Sequence, residues 1–133
     1  MMKALITGAS SGIGWEMAIY LSKGYAEIKQ EDSKVNIYEY DLSVSDNCYK
    51  LYDELKDENI DIIINNAGFG NYGSYEYDNL DKEINMIELN IKCVHILTKL
   101  FVNNNSTKRI LNVSSSAGLM KGGPLMSCYY ATK

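Results

Sequence analysis

Apolar residues change their period several times along this chain, and each change marks an element. Residues 3–6 form a short apolar strand that runs into a glycine-rich turn at 8–14, after which Ile13, Met17, Tyr20 and Leu21 recur at helical spacing. Val35-Asn36-Ile37-Tyr38-Glu39-Tyr40 reads as a strand. Ser43 with Asp46 has the form of a capping box, and Val44, Cys48, Leu51 and Leu55 then mark one helix face. Residues 60–64 read as an apolar strand of the kind buried on both faces of a parallel sheet, stopping at Asn65-Asn66-Ala67-Gly68. A long helix follows the loop at 70–73, with Leu80, Ile84, Ile87, Ile91, Val94 and Phe101 as its expected buried stripe. Residues 109–113 make a further strand. A loop holding Gly118, Gly122, Gly123 and the single proline, Pro124, leads to a last helix near Met126. Strands alternating with helices imply an α/β fold with right-handed crossovers.

Composition narrows the function classes. The 133 residues suit a single domain, expected to span 1–133, and 46% hydrophobic with 23% charged residues is a globular balance. The net charge is −4 and no basic block occurs, which argues against a nucleic-acid partner held through phosphates. The longest aliphatic run, Ile62-Ile63-Ile64, is far short of the roughly 20 residues that cross a bilayer, so no membrane partner is expected. The N-terminus reaches Thr7-Gly8 too soon for a secretory leader. Cys48, Cys93 and Cys128 are spaced for neither a disulfide framework nor a metal knuckle. The expectation is a cytoplasmic protein with no metal site.

The chemistry begins in the first turn, Thr7-Gly8-Ala9-Ser10-Ser11-Gly12-Ile13-Gly14, which lies between a strand and a helix start. In that context Gly8 permits the tight turn, Gly12 lets backbone approach a pyrophosphate, and Gly14 allows close helix packing. The free N–H groups of the helix start favour phosphate. No Gly-Lys-Ser/Thr follows, so this is not a nucleotide-triphosphate loop. A merely structural glycine turn is the plain rival reading.

The turn resembles the cofactor turn, Thr-Gly-x-x-x-Gly-x-Gly, of the short-chain dehydrogenase/reductase family, and further signatures of that family follow in order. Asp41-Leu42 is similar to its adenine-contacting pair, and Asn65-Asn66-Ala67-Gly68 to its Asn-Asn-Ala-Gly step. Asn90 falls where the family keeps a polar active-site residue. Asn112-Val113-Ser114-Ser115 resembles its Asn-x-Ser-Ser strand end, and Tyr129-Tyr130-Ala131-Thr132-Lys133 its Tyr-x-x-x-Lys pair. The resemblance implies a Rossmann-like doubly wound parallel sheet and an oxidoreductase that moves a hydride between NAD or NADP and a carbonyl or alcohol. It implies cofactor contacts from Gly8, Ser10, Ser11, Gly12, Ile13, Gly14, Asp41, Leu42, Asn66, Ala67, Gly68, Tyr129 and Lys133. The implied catalytic set is Asn90, Ser115, Tyr129 and Lys133. Tyr129 would give or take the proton; a phenol ordinarily has a pKa near ~10 and needs a nearby cation to serve at neutral pH. Lys133, one helical turn away, would supply that cation and hold the nicotinamide ribose. Ser115 would hydrogen-bond the substrate oxygen, and Asn90 would hold a water linking the lysine to solvent. Tyr130 competes with Tyr129, and Ser114 and Ser116 with Ser115.

Two departures from the family pattern shape the expectations. Only 15 residues, 26–40, stand where a strand, a helix and their turns need roughly 20 or more. One element pair is therefore expected to be missing. The acid that binds an adenosine ribose, or a base for a 2′-phosphate, has no recognisable place among Glu27, Glu31, Asp32 and Lys34. Alternatively, a strand at 35–40 lies beside the first strand and brings Asp41 to that position. Neither NAD nor NADP is preferred. The second departure is that the sequence stops at Lys133, so the sheet is expected to be incomplete, the N-terminal part of a Rossmann-like domain. The chain itself is expected to show no turnover, and a non-catalytic dinucleotide-binding fragment is the alternative function. The complete enzyme would be a homo-oligomer acting on a small-molecule carbonyl or alcohol; the substrate, and the assembly of this chain, stay open.

Overall fold

A computed structural model describes residues 2–29, 34–104 and 107–133, with 24–29 by their backbone only. Three strands, β1 (Ala4–Ile6), β2 (Ile62–Asn65) and β3 (Arg109–Asn112), form a parallel sheet in the order β1-β2-β3. The register places Leu5, Ile63 and Ile110 in one row and Ile6, Ile64 and Leu111 in the next. Side chains of successive rows point to opposite faces, so both faces of the sheet are apolar.

Each face has its own helices. Helix α1 (Gly12–Lys29) leaves the first turn, and its Met17 and Leu21 line an open apolar groove with Ile64 and Leu111. The opposite face carries α2 (Ser45–Leu55) and a long helix built from α3 (Leu80–Ile87), a π-helical turn (Glu88–Cys93) and α4 (Val94–Asn103). The core lies there, where Cys48, Leu51 and Leu55 of α2 pack with Ile63, Cys93, Leu97 and Phe101. Tyr52 meets Phe101 edge to face, with ring centroids 5.1 Å apart. Helices on both faces of a parallel sheet are the α/β, Rossmann-like arrangement that the alternation implies. A 3-10 turn (Ser116–Leu119) and α5 (Ser127–Thr132) complete the described elements.

Four local expectations need correction. Residues 34–40 form no strand: Ile37 is 82% exposed, and Tyr40 instead hydrogen-bonds Glu54 of α2 through its hydroxyl. A strand is held by a partner's ladder and a buried face, and this segment has neither among the described residues. The alternative pairing beside β1 fails for the same reason. Glu31 and Asp32 lie outside the described residues, and so does the side chain of Glu27. The capping box does not form either. Helix α2 starts at Ser45 after Val44, while the Ser43 N–H and hydroxyl both donate to Asp41 Oδ1, at 3.0 and 2.6 Å. A short-range Asx turn has outcompeted the cap.

The second strand begins only after Asp61. That residue is fixed from both sides: its Oδ2 accepts from the Lys3 N–H at 3.0 Å, and its carbonyl accepts from the N–H groups of Lys108 and Arg109. Last, the buried stripe of the long helix is Met86, Asn90, Cys93, Leu97 and Phe101. Leu80, Ile84, Ile87 and Ile91 are exposed. Two apolar rows lie about 100° apart on this helix, and the row that includes the polar Asn90 turns inward.

This assignment has a direct check by denaturant unfolding. Leu97→Ala empties a fully buried site and should cost about 2–5 kcal/mol. Ile84→Ala, at a side chain 49% exposed, should cost under about 1 kcal/mol. The reverse ranking would restore the other stripe.

Candidate active site

The two glycine-bearing segments are fastened together at the C-terminal ends of β1 and β2. Thr7 is buried, and its Oγ1 accepts from the backbone N–H groups of Asn66 and Ala67, each at 3.0 Å. In return, Asn66 Nδ2 donates to the carbonyls of Thr7 and Gly8, at 3.1 and 3.2 Å. Such closeness leaves no space for side chains. A Cβ on Gly8 would stand 2.8 Å from Ala67 Cα, and one on Gly14 would stand 2.4 Å from both Gly8 O and Asn66 Nδ2. Asn65, next in line, donates through Nδ2 to Asn112 Oδ1 at 2.8 Å and to Thr98 Oγ1 at 3.0 Å. It thereby ties β2 to β3 and to the long helix.

The outer side of the turn is open. Gly12 takes a left-handed φ of +56°, and no atom lies within 4 Å of where its Cβ would be. Ser10, Ser11 and Ile13 are on or near this surface, and the first turn of α1 contains no acid. Exposed backbone, an unopposed helix start and a glycine cradle fit the diphosphate of a dinucleotide. Asp41 is exposed, but its carboxylate is engaged by Ser43, whose hydroxyl holds the acid below its ordinary pKa. Leu42 is half-buried against the core.

A second cluster joins the loop after β2 to α5. Asn90, in the π-helical turn, is buried with every polar atom of its side chain paired. Its Oδ1 accepts from the Phe69 N–H at 3.1 Å, and its Nδ2 donates to Phe69 O and to Thr132 Oγ1, both at 2.9 Å. All three of these side-chain bonds go to protein groups. Gly68 lies under the same cluster: a Cβ there would be 2.9 Å from Asn90 Oδ1 and 3.2 Å from Lys133 Nζ. The neighbouring Gly70 faces the Tyr129 ring, whose Cδ2 would be 3.2 Å from a Cβ at that position. Tyr130 points elsewhere, toward Gly123, where its Cε2 would be 3.5 Å from an added Cβ.

Ser115 caps the 3-10 turn by accepting the Ala117 N–H at 3.1 Å. A hydroxyl that accepts this bond keeps its own proton free to donate to another oxygen. Ser114 instead reaches Lys133 O, at 3.5 Å. The Gly73 N–H donates to Leu125 O at 2.9 Å and joins the two loops beside α5. Burial and the carboxylates of Glu83 and Asp78 push the Cys128 thiol up from its ordinary value, so it is protonated at neutral pH. Among the described residues no three His, Cys, Asp or Glu side chains gather as a metal site, and no helix is long and apolar enough to cross a membrane.

Sequence reasoning singled out the glycines, Asn66, Asn90, Tyr129 and Lys133, and the structure brings them to one end of the sheet. It missed Thr7, Gly70 and Thr132. Thr7 and Thr132 lie inside the quoted motifs, but nothing in a sequence says where a threonine hydroxyl bonds.

Known proteins with this arrangement are informative. The family model for short chain dehydrogenase matches residues 20–133. An uncharacterised oxidoreductase of Schizosaccharomyces pombe is 31% identical across 97% of this chain and 49% of its own length. The chain spans about half the length of the curated relatives it matches. Among solved structures, a short-chain dehydrogenase from Sphingobium yanoikuyae in complex with NADPH is 27% identical. It covers all of this chain with a TM-score of 0.84, and the match takes in 60% of its own length. A 4-hydroxyisoleucine dehydrogenase complexed with NADH and succinate is 26% identical over 97% of this chain and 65% of its own, with a TM-score of 0.84. Profile, sequence and fold agree: the chain belongs to the short chain dehydrogenase family.

Proposed function

We propose that residues 1–133 form an NAD(P)-binding unit of an oxidoreductase that interconverts a small carbonyl compound and its alcohol. One observation carries this reading. The segment 66–70 touches the glycine turn at one end, through Asn66 and Ala67, and Tyr129 at the other, through Gly70. Cofactor cradle and proton-transfer group are thus set from a single piece of backbone. The NADPH and NADH complexes of the two solved relatives support a nicotinamide dinucleotide and leave the choice between the two open.

When bound, that dinucleotide supplies or takes up the hydride. The chain's own residues do the rest. The Gly8–Gly14 turn and the start of α1 hold the diphosphate. Tyr129 gives its phenolic proton to the carbonyl oxygen in reduction and accepts it back in oxidation. Lys133, whose Nζ lies beside Gly68, would supply the cation next to that phenol and would hold the nicotinamide ribose. Ser115 donates its free hydroxyl proton to the same substrate oxygen and steadies its developing charge. Asn90 keeps the loop and α5 in register.

Two measurements test the proposal. In assays of dinucleotide-dependent carbonyl reduction by the chain extended to its relatives' length, Tyr129→Phe should lower kcat by about 10²–10⁴-fold, the usual worth of a general acid, while Tyr130→Phe should stay within about threefold of the unsubstituted protein. An essential Tyr130 would refute the assignment. In a fluorescence titration with NADH and NADPH, Gly14→Val should weaken binding at least about tenfold, because its side chain would drive Asn66 off the turn. Unchanged affinity in the folded variant would remove the turn from the cofactor site.

A further inference from the structure

We infer that Thr132 is the positioning residue that orients Tyr129 and Lys133, acting through Asn90. The inference rests on the catalytic reading above for its kinetic consequence, but not for its geometry. Helix α5 is short, Ser127–Thr132, and a helix of one to two turns does not hold its own shape in water. Its side chains must be placed by bonds from outside. Thr132 is the buried residue of α5 and lies between the two catalytic positions, three after Tyr129 and one before Lys133.

Its hydroxyl both gives and accepts a bond. Oγ1 donates to Tyr129 O at 2.9 Å and accepts from Asn90 Nδ2 at 2.9 Å. The other amide proton of Asn90 goes to Phe69 O, and its Oδ1 takes the Phe69 N–H. A closed path therefore runs from the backbone of Tyr129, through Thr132 and Asn90, to the backbone of Phe69. Phe69 sits between Gly68, which lies under Lys133 Nζ, and Gly70, which lies under the Tyr129 ring. The loop that seats both catalytic side chains is the loop that the Thr132 hydroxyl fastens to their helix. Residue 132 needs a hydroxyl in particular. Valine has the same shape but would leave one Asn90 N–H buried and unpaired.

Thr132→Val, Thr132→Ala and Thr132→Ser separate orientation from packing. In the chain extended to its relatives' length, kinetics should show kcat reduced about ten- to a hundredfold in the valine variant, the scale of a small misplacement, with Thr132→Ser within about threefold of the unsubstituted protein. Independently of turnover, ring-labelled tyrosine should be followed by NMR, with the Tyr129 and Tyr130 signals assigned from Tyr129→Phe and Tyr130→Phe. The Tyr129 signal should move in the valine and alanine variants and return in the serine variant, while Tyr130 stays in place throughout. The proposal is overturned if the Tyr129 signal is unmoved by Thr132→Val, or by Thr132→Ala should the valine variant not fold. It is equally overturned if serine behaves like valine, or if both tyrosine signals move together. The NMR series decides the role of Thr132 whether or not residues 1–133 turn over by themselves, so its failure and that of the catalytic reading stay distinguishable.

Discussion

Four hydrogen bonds between Thr7–Gly8 and Asn66–Ala67 hold the ends of two adjacent parallel strands together, and the site depends on them. Parallel strands reach their neighbours only through long crossovers, so their ends are not joined by a turn as in a hairpin. Here the Thr7 hydroxyl and the Asn66 amide do that work. Once they do, Gly8 and Gly14 must lack side chains, Gly12 stays exposed, and the chain leaving β2 is aimed toward α5.

A second constraint comes from the long helix. Its π-helical turn carries Asn90 and Cys93 on the buried side, where a polar side chain would ordinarily be costly. Asn90 avoids that cost because its amide is completely paired. Buried polar networks of this kind specify one arrangement when every member is satisfied. The loop at 68–70 and helix α5 have little regular structure of their own, and they gain a defined relation through this side chain.

Much of the fold was legible because strong local rules coincide with it. The glycine turn needs left-handed backbone at positions 8 and 12, and both glycines have it, with φ of +66° and +56°. The apolar Ile62-Ile63-Ile64 run became the central strand. Tyr129 and Lys133 stood out through their resemblance to a family motif, and the structure sets both beside the 68–70 loop. Elsewhere local pattern and tertiary context disagreed. Residues 35–40 alternate like a strand, but with no strand partner among the described residues Val35, Ile37 and Tyr38 stay in solvent. Leu80, Ile84 and Ile87 form a better hydrophobic row than Met86, Asn90 and Cys93, yet the second row is buried: it continues into Leu97 and Phe101, which pack with Cys93 against α2 and β2, and Phe69 and Thr132 pair the Asn90 amide there. Ser43 could cap a helix or complete a turn with Asp41, and the nearer partner won.

The central claim is that the glycine turn, segment 66–70 and α5 make one dinucleotide site. Backbone amide NMR of the chain during titration with NADH and with NADPH tests it most directly. Saturable shift changes should concentrate at residues 8–14, 66–70 and 129–133, with the sheet interior little affected. Changes confined to one of these segments, or none up to millimolar dinucleotide, would contradict it.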